Sequence, residues 1–256
     1  MLLAGGPAAA QTAVSAEQLA TRAAYGALVT TEHRTLAGGS AALALLTGPQ
    51  AATYTSGLSS SPHPCRDGTW NVFGPRWKST LKWSFNAGTT PSSLGRSAAL
   101  TVIKRGLKNI VGARNDCGRA DRVGATTSYL GTTRAAVSIN KYGRCTRADG
   151  RNVVAFGSLP SGVLGVACIR SSGGRIVEAD IRLTNRVRWA MSTSNCWNRY
   201  LLEAVMTHEA GHAFGLAHVS ERYHARLTMS SRINGPCQNG ESTLGLGDLK
   251  ALEALY

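Results

Sequence analysis

The chain has 256 residues, enough for one substantial core plus an extension. Its formal net charge is +14, yet the arginines are scattered, with no basic run and no recognised binding module, which argues against nucleic acid as a partner. None of the six cysteines falls in a C-x-x-C pair, which argues against a cysteine metal site.

The N-terminal part reads as a leader. Arg34 precedes an apolar run at 36–46, and Thr47-Gly48-Pro49-Gln50-Ala51-Ala52 supplies a small-residue cleavage region. The run is too short for a membrane anchor. Residues 1–52 are therefore expected to be an N-terminal extension with a signal peptide cut near Ala52, 53–64 a short linker and 65–256 the folded domain.

Pro91-Ser92-Ser93 opens a periodic stretch in which Leu100, Ile103, Leu107, Ile110 and Val111 form one apolar stripe, so a long helix is predicted to end near Gly112. Strand-like runs follow at Thr126–Leu130, Ala136–Asn140, Val153–Phe156, Val163–Ile169 and Ile176–Leu183. A further helix is expected from about Tyr200 to Ala217, and a last one from Asp248, whose side chain can cap it. Cys65, Cys117, Cys145, Cys168, Cys196 and Cys237 suggest three disulfides in an oxidising compartment, and hence secretion. Six cysteines allow fifteen pairings, between which sequence does not choose; our guess joins Cys65–Cys117, Cys145–Cys168 and Cys196–Cys237.

Chemistry concentrates in His208-Glu209-Ala210-Gly211-His212-Ala213-Phe214-Gly215-Leu216-Ala217-His218, an H-E-x-x-H-x-x-G-x-x-H pattern. Residues four apart on a helix differ by about 40° in direction, so His208 and His212 point from one face to one place. Two neutral imidazoles suit Zn²⁺. Glu209 lies about 100° round the helix, badly placed as a ligand and well placed to reach a water at the metal. A continued helix would turn His218 to the far side, so the helix must stop first; Gly215 accepts the left-handed conformation that ends helices. Three protein ligands leave a fourth position open, the catalytic rather than the structural pattern. A buried helix with scattered histidines explains neither the Glu nor the Gly at these offsets. No G-x-S-x-G nucleophile competes.

This motif resembles that of the metzincin clan of zinc peptidases and, within it, the matrixin-like branch found in secreted bacterial proteins. Met229, in Leu227-Thr228-Met229-Ser230, looks like the methionine of the clan's turn beneath the zinc, a soft apolar floor. Thr80–Asn86 is similar to the first strand of such domains, Ile176–Ile181 to the segment before the zinc helix, and Gly245–Tyr256 to the closing helix. The resemblance implies an α+β domain: a twisted mixed sheet packed on a long helix and an active-site helix, with a C-terminal helix. It also implies an extended substrate along an edge strand, here matched by Leu164–Arg170, and a specificity pocket beside Ser230–Pro236. The structural zinc of animal matrixins is not carried over, because no histidine lies between Cys65 and Arg199. Asp180 alone is a poor case for calcium, which takes six to eight oxygens. His63-Pro64-Cys65-Arg66-Asp67 faintly resembles a pro-segment thiolate switch, but using Cys65 so would strand another cysteine.

The leading expectation is a secreted, monomeric zinc endopeptidase with Glu209 as general base, taking protein or peptide substrates. One alternative is a zinc amidase acting on cell-wall peptides, suggested by secretion and positive charge. Another is a non-catalytic cationic adhesin with a relic site, held at an anionic cell surface; the retention of Glu209 speaks against it.

Overall fold

The computed structural model describes residues 61–233 and 235–256, together with the backbone of residues 40–47. In chain order the elements are β1 (Ser40–Thr47), β2 (Leu81–Phe85), α1 (Arg96–Val111), β3 (Thr127–Thr132), β4 (Val153–Gly157), β5 (Val163–Ser172), β6 (Arg175–Thr184), β7 (Trp189–Ala190) and β8 (Tyr200–Leu201). Helix α2 (Leu202–Ala213), the single turn α3 (Glu221–His224), β9 (Arg232–Ile233) and α4 (Leu246–Leu255) follow. The main sheet has the order β3-β2-β4-β6-β5-β1-β9. From β3 to β6 its strands are parallel; β5 runs antiparallel to β6, and β1 antiparallel to β5 but parallel to β9. Helix α2 packs on β5 and β6, and α1 packs on α2 and β3. The result is the mixed sheet on two helices that the sequence suggests.

Helix α1 starts at Arg96, later than Pro91, because Gly95 is the extended N-cap residue. Its buried face is Ala99, Val102, Ile103, Gly106, Leu107 and Ile110. A Cβ on Gly106 would lie 2.6 Å from Cγ of Met206, so glycine lets α1 and α2 cross closely. Leu81, Trp83, Phe85, Val154, Phe156, Leu164, Ile181 and Leu183 fill the same core from the sheet.

A second, smaller core covers the sheet's other face: Val137, Ile139, Val153, Ala155, Leu159, Val163, Val166 and Cys168. The predicted strand Ala136–Asn140 does not form; this stretch is a loop with one isolated bridge, Ile139 to Cys145. Its backbone bonds run only to the turn that follows, from Asn140 N–H to the Arg144 carbonyl and from Thr146 N–H to the Ser138 carbonyl. Ser138 donates to the Asp180 carboxylate, and Tyr142 and Arg144 donate to the Asn140 side chain. The Cys145–Cys168 disulfide then fastens the loop to β5.

Two further disulfides, Cys65–Cys117 and Cys196–Cys237, join the start of the described domain to the loop after α1 and the approach to α2 to the segment after β9. With Cys65 bonded to Cys117, no thiol is available there for a zinc switch. Residues 61–64, expected as linker, pack on the domain: Ala225 N–H donates to Ser61 Oγ and Leu246 N–H to the Pro64 carbonyl. Ser40–Thr47, expected within the leader, is a strand of the sheet. Among the described residues no helix is long and apolar enough to cross a membrane.

Candidate metal centre

Helix α2 is buried along its whole length, between the sheet and α1. It is shorter than Tyr200–Ala217. At its start, Tyr200 and Leu201 pair with Trp189 and Ala190 as a short parallel ribbon. At its end, Gly215 adopts φ +96, its N–H donates to the His212 carbonyl, and the Leu216 N–H donates to the Gly211 carbonyl. This pair of bonds around a left-handed glycine is a Schellman stop. It turns the chain back, and Asn71 braces the return by donating from its side chain to the His218 carbonyl.

The turn brings three imidazoles together. Nε2 of His218 lies 3.0 Å from Nε2 of His208 and 2.9 Å from Nε2 of His212. The opposite ring nitrogens are tied down: Nδ1–H of His208 donates to the Thr228 carbonyl at 2.7 Å, and Nδ1–H of His212 to the Leu216 carbonyl at 2.8 Å. A carbonyl only accepts, so each Nδ1 carries the proton and each Nε2 presents a bare lone pair. Burial holds both rings well below the ordinary value of 6.5, and charge on His218 would push the same way, so they are neutral.

Lone pairs facing one another at this distance repel, and a cation among them removes the conflict. His218 has one Nε2 and can donate to one of the two at most. Zinc binds imidazole nitrogen at about 2.0–2.1 Å and favours three or four such donors, so the donor set fits this ion. His208, His212 and His218 are the residues that would hold it.

The surroundings fix this geometry. Met229 is buried, and Gly211 leaves room for it: a Cβ there would sit 2.4 Å from the Met229 sulfur. Thus Met229 lies against α2 at Gly211, the residue before His212. Asp248 is the third residue of α4 rather than its N-cap, which is Gly245. Its carboxylate accepts the N–H of Gly245 at 2.9 Å and those of Thr228 and Met229. Burial pushes Asp248 up to about 6, against the lowering effect of these three bonds.

Glu209 is fully buried. Its carboxylate lies against Gly165 of β5, where a Cβ would come within 2.5 Å of Oε1. At the start of α2, Glu203 holds Arg105 and Arg114 at 2.7 and 3.0 Å and also accepts from Asn109. Asn109 donates in addition to Thr207 Oγ, next to His208, which locks the helix rotation against α1.

Asp149, Glu178 and Asp180 also lie close enough to share an ion. Their oxygens face donors instead. Glu178 accepts the N–H groups of Asp149 and Gly150 and the Arg170 guanidinium at 2.7 Å; Asp180 accepts Ser138 and Val153 N–H. Hydrogens aimed at these oxygens repel a cation, and the cluster does not fit calcium.

Sequence reasoning missed Gly165, Asn71, Glu203 and the reach of Asp248 beyond its own helix. A lone glycine inside an apolar strand run was the available signal for Gly165. The Thr228 and Leu216 carbonyls are backbone groups and leave no trace in side-chain identity.

Residues 142–256 match the family model described as matrixin. No match was found among curated proteins. The matched segment contains the convergent histidines, Glu209 and the Met229 turn, and over these residues the chain is similar to the matrixin metallopeptidases.

Proposed function

We propose that the protein is a secreted zinc endopeptidase whose catalytic domain covers residues 65–256. The observation that carries this reading is the meeting of His208, His212 and His218 at Nε2, with Nδ1 of both helical histidines committed to carbonyls. Bound there, zinc supplies a Lewis acid that lowers the pKa of water to near 7 and polarises a carbonyl.

The chain's own groups do the rest. Glu209, held between α2 and β5, takes the proton of the attacking water on its carboxylate and passes it to the leaving nitrogen. His208 and His212 stay neutral and fixed through Thr228 and Leu216. Leu164–Arg170, expected as an edge strand, instead lies inside the sheet between β6 and β1, so it offers backbone groups to an extended peptide only where β1 does not cover it, and the specificity pocket lies between α2 and the segment after Met229. Secretion is supported by the three disulfides.

The test is digestion of an unbiased peptide library, a folded protein and peptidoglycan, side by side, with and without a chelator. Chelator-sensitive cleavage of peptides is expected, with Glu209→Ala losing about 10²–10⁴-fold in rate while keeping its zinc. Cleavage confined to peptidoglycan would make the enzyme an amidase. Full activity in Glu209→Ala would refute the general-base role.

A further inference from the structure

Burial of charge in the described residues is one-sided. Besides Glu209, the buried side chains include Asp67, Glu178, Asp180, Glu203, Glu241 and Asp248, but no described arginine or lysine is buried. The cations therefore face solvent, and the outer shell is more positive than the net charge of +14 states. One stretch concentrates that charge. Between Asp180 and Glu203 the chain carries Arg182, Arg186, Arg188 and Arg199 and no acid. Glu203 is itself engaged by Arg105 and Arg114. The ribbon of β7 and β8 sets Trp189 opposite Tyr200, so Arg188 and Arg199 hold neighbouring positions just before it. The Tyr200 N–H donates to the Arg188 carbonyl at 2.9 Å and fixes that register. Among the described residues no carboxylate pairs with Arg186, Arg188 or Arg199. Two residues before Arg199 stands Trp197, 88% exposed, the most exposed large apolar side chain among the described residues. Its turn is closed by the Arg199 N–H on the Cys196 carbonyl at 2.9 Å, with Asn198 in the left-handed region at φ +52. The Cys196–Cys237 disulfide and a bond from the Cys237 N–H to the Arg199 carbonyl fasten the turn from its other side.

We propose that this ledge, Trp197 with Arg186, Arg188 and Arg199, binds an acidic polysaccharide, one that carries uronate or phosphate groups. Guanidinium groups match carboxylate and phosphate oxygens with paired hydrogen bonds. Neighbouring guanidiniums repel, and an anion laid across them relieves the repulsion. The indole presents a flat apolar face to the C–H side of a sugar ring and keeps an N–H for a hydroxyl. Because the turn is braced, holding Trp197 against a ligand costs little conformational entropy. Ser192, Thr193, Ser194, Asn195 and Asn198 are exposed around it and supply hydroxyl and amide partners for a sugar. A lipid surface calls for a broad apolar face, and the loop 192–198 exposes a single large apolar side chain. The ledge directly precedes α2, where His208 lies about 9 Å along the axis from Leu202. A polymer held there keeps the candidate metal centre beside it.

The test is a fluorescence titration of the full chain at about 0.15 M salt, where long-range attraction is largely screened. The probes are polygalacturonate, a glycerol-phosphate teichoic acid, neutral dextran and phosphatidylglycerol vesicles. At least one of the two acidic glycans should bind, and dextran should not. Binding should shift the emission to the blue and shield it from acrylamide, a change absent in Trp197→Ala. Arg188→Ser with Arg199→Ser should weaken binding at least about tenfold. Arg119→Ser with Arg122→Ser removes the same charge from the loop after α1 and should change it less than about twofold. Trp197→Ala should weaken it at least about fivefold, and Trp197→Tyr should restore most of the loss. Thermal melting checks that each variant is folded. No binding to either acidic glycan, an equal loss in the two arginine pairs, or unchanged affinity in Trp197→Ala would overturn the proposal. So would binding to vesicles alone, which would assign the ledge to lipid. None of these readouts uses peptidase activity, which the library digestion tests separately.

Discussion

The carboxylate of Asp248 accepts the backbone N–H groups of both Thr228 and Met229, at 3.0 and 3.2 Å. The carbonyl of that same Thr228 takes the Nδ1–H of His208. One side chain on the closing helix therefore holds the turn that floors the site and aims one of its histidines. Hydrogen-bond partners of ligating histidines set ring orientation and basicity, and their loss commonly weakens metal binding.

Asp248→Ala leaves the Gly245, Thr228 and Met229 N–H groups without their acceptor. Zinc affinity should fall about 10–100-fold, measured by competition with a chromogenic chelator. Asp248→Asn, which keeps one carbonyl oxygen, should lie between. Unchanged affinity in a folded Asp248→Ala protein would show that the turn is held by other contacts.

Gly165→Ala tests the contact between β5 and Glu209, the proposed general base. The added carbon would meet Glu209 Oε1 at 2.5 Å, so the carboxylate must move. A misplacement of this order can cost about 100-fold in rate. The expected variant keeps its zinc and loses kcat. Wild-type kcat would mean that Glu209 has a second workable position.

The site was legible in sequence because its chemistry needs particular side chains at particular offsets on one helix. His208, His212, Gly215 and His218 follow from helix geometry and from one enforced stop. The supporting shell was not legible, because distant parts of the chain supply it: Gly165 from β5, Asn71 from the first described loop, Asp248 from α4. Strands with buried alternating or continuous apolar runs, such as Val153–Gly157 and Val163–Ser172, could be read to within a few residues. Ala136–Asn140 has the same local look and fails as a strand: its Ser138 N–H goes to the Asp180 carboxylate, and the Asn140 side chain builds the turn that follows by accepting Tyr142 and Arg144 N–H. That competition depends on a carboxylate about forty residues away.

Asp180 gives a pH prediction. Burial pushes its carboxyl up to about 7, with Glu178 and Asp149 adding in the same direction, against the Val153 and Ser138 N–H bonds that lower it. The folded state thus holds this proton more tightly than the unfolded chain, where the group titrates near its ordinary 3.8. The stability it contributes is complete below that value and is lost as pH rises through about 7. Asp180→Asn removes the titration. Between about pH 5 and pH 8 the melting temperature of the parent should therefore fall relative to that of Asp180→Asn. Proton competition at His208 and His212 is common to both proteins and cancels in this difference. Parallel curves would contradict the assignment.

X-ray absorption at the zinc edge of the purified, oxidised protein tests the centre itself. One zinc per chain should appear with three imidazole nitrogens and one further light atom at about 2.0–2.1 Å, and His218→Ala should lose one of the imidazole shells. Sulfur at about 2.3 Å, an all-oxygen shell, or protein that takes up no zinc would contradict the account.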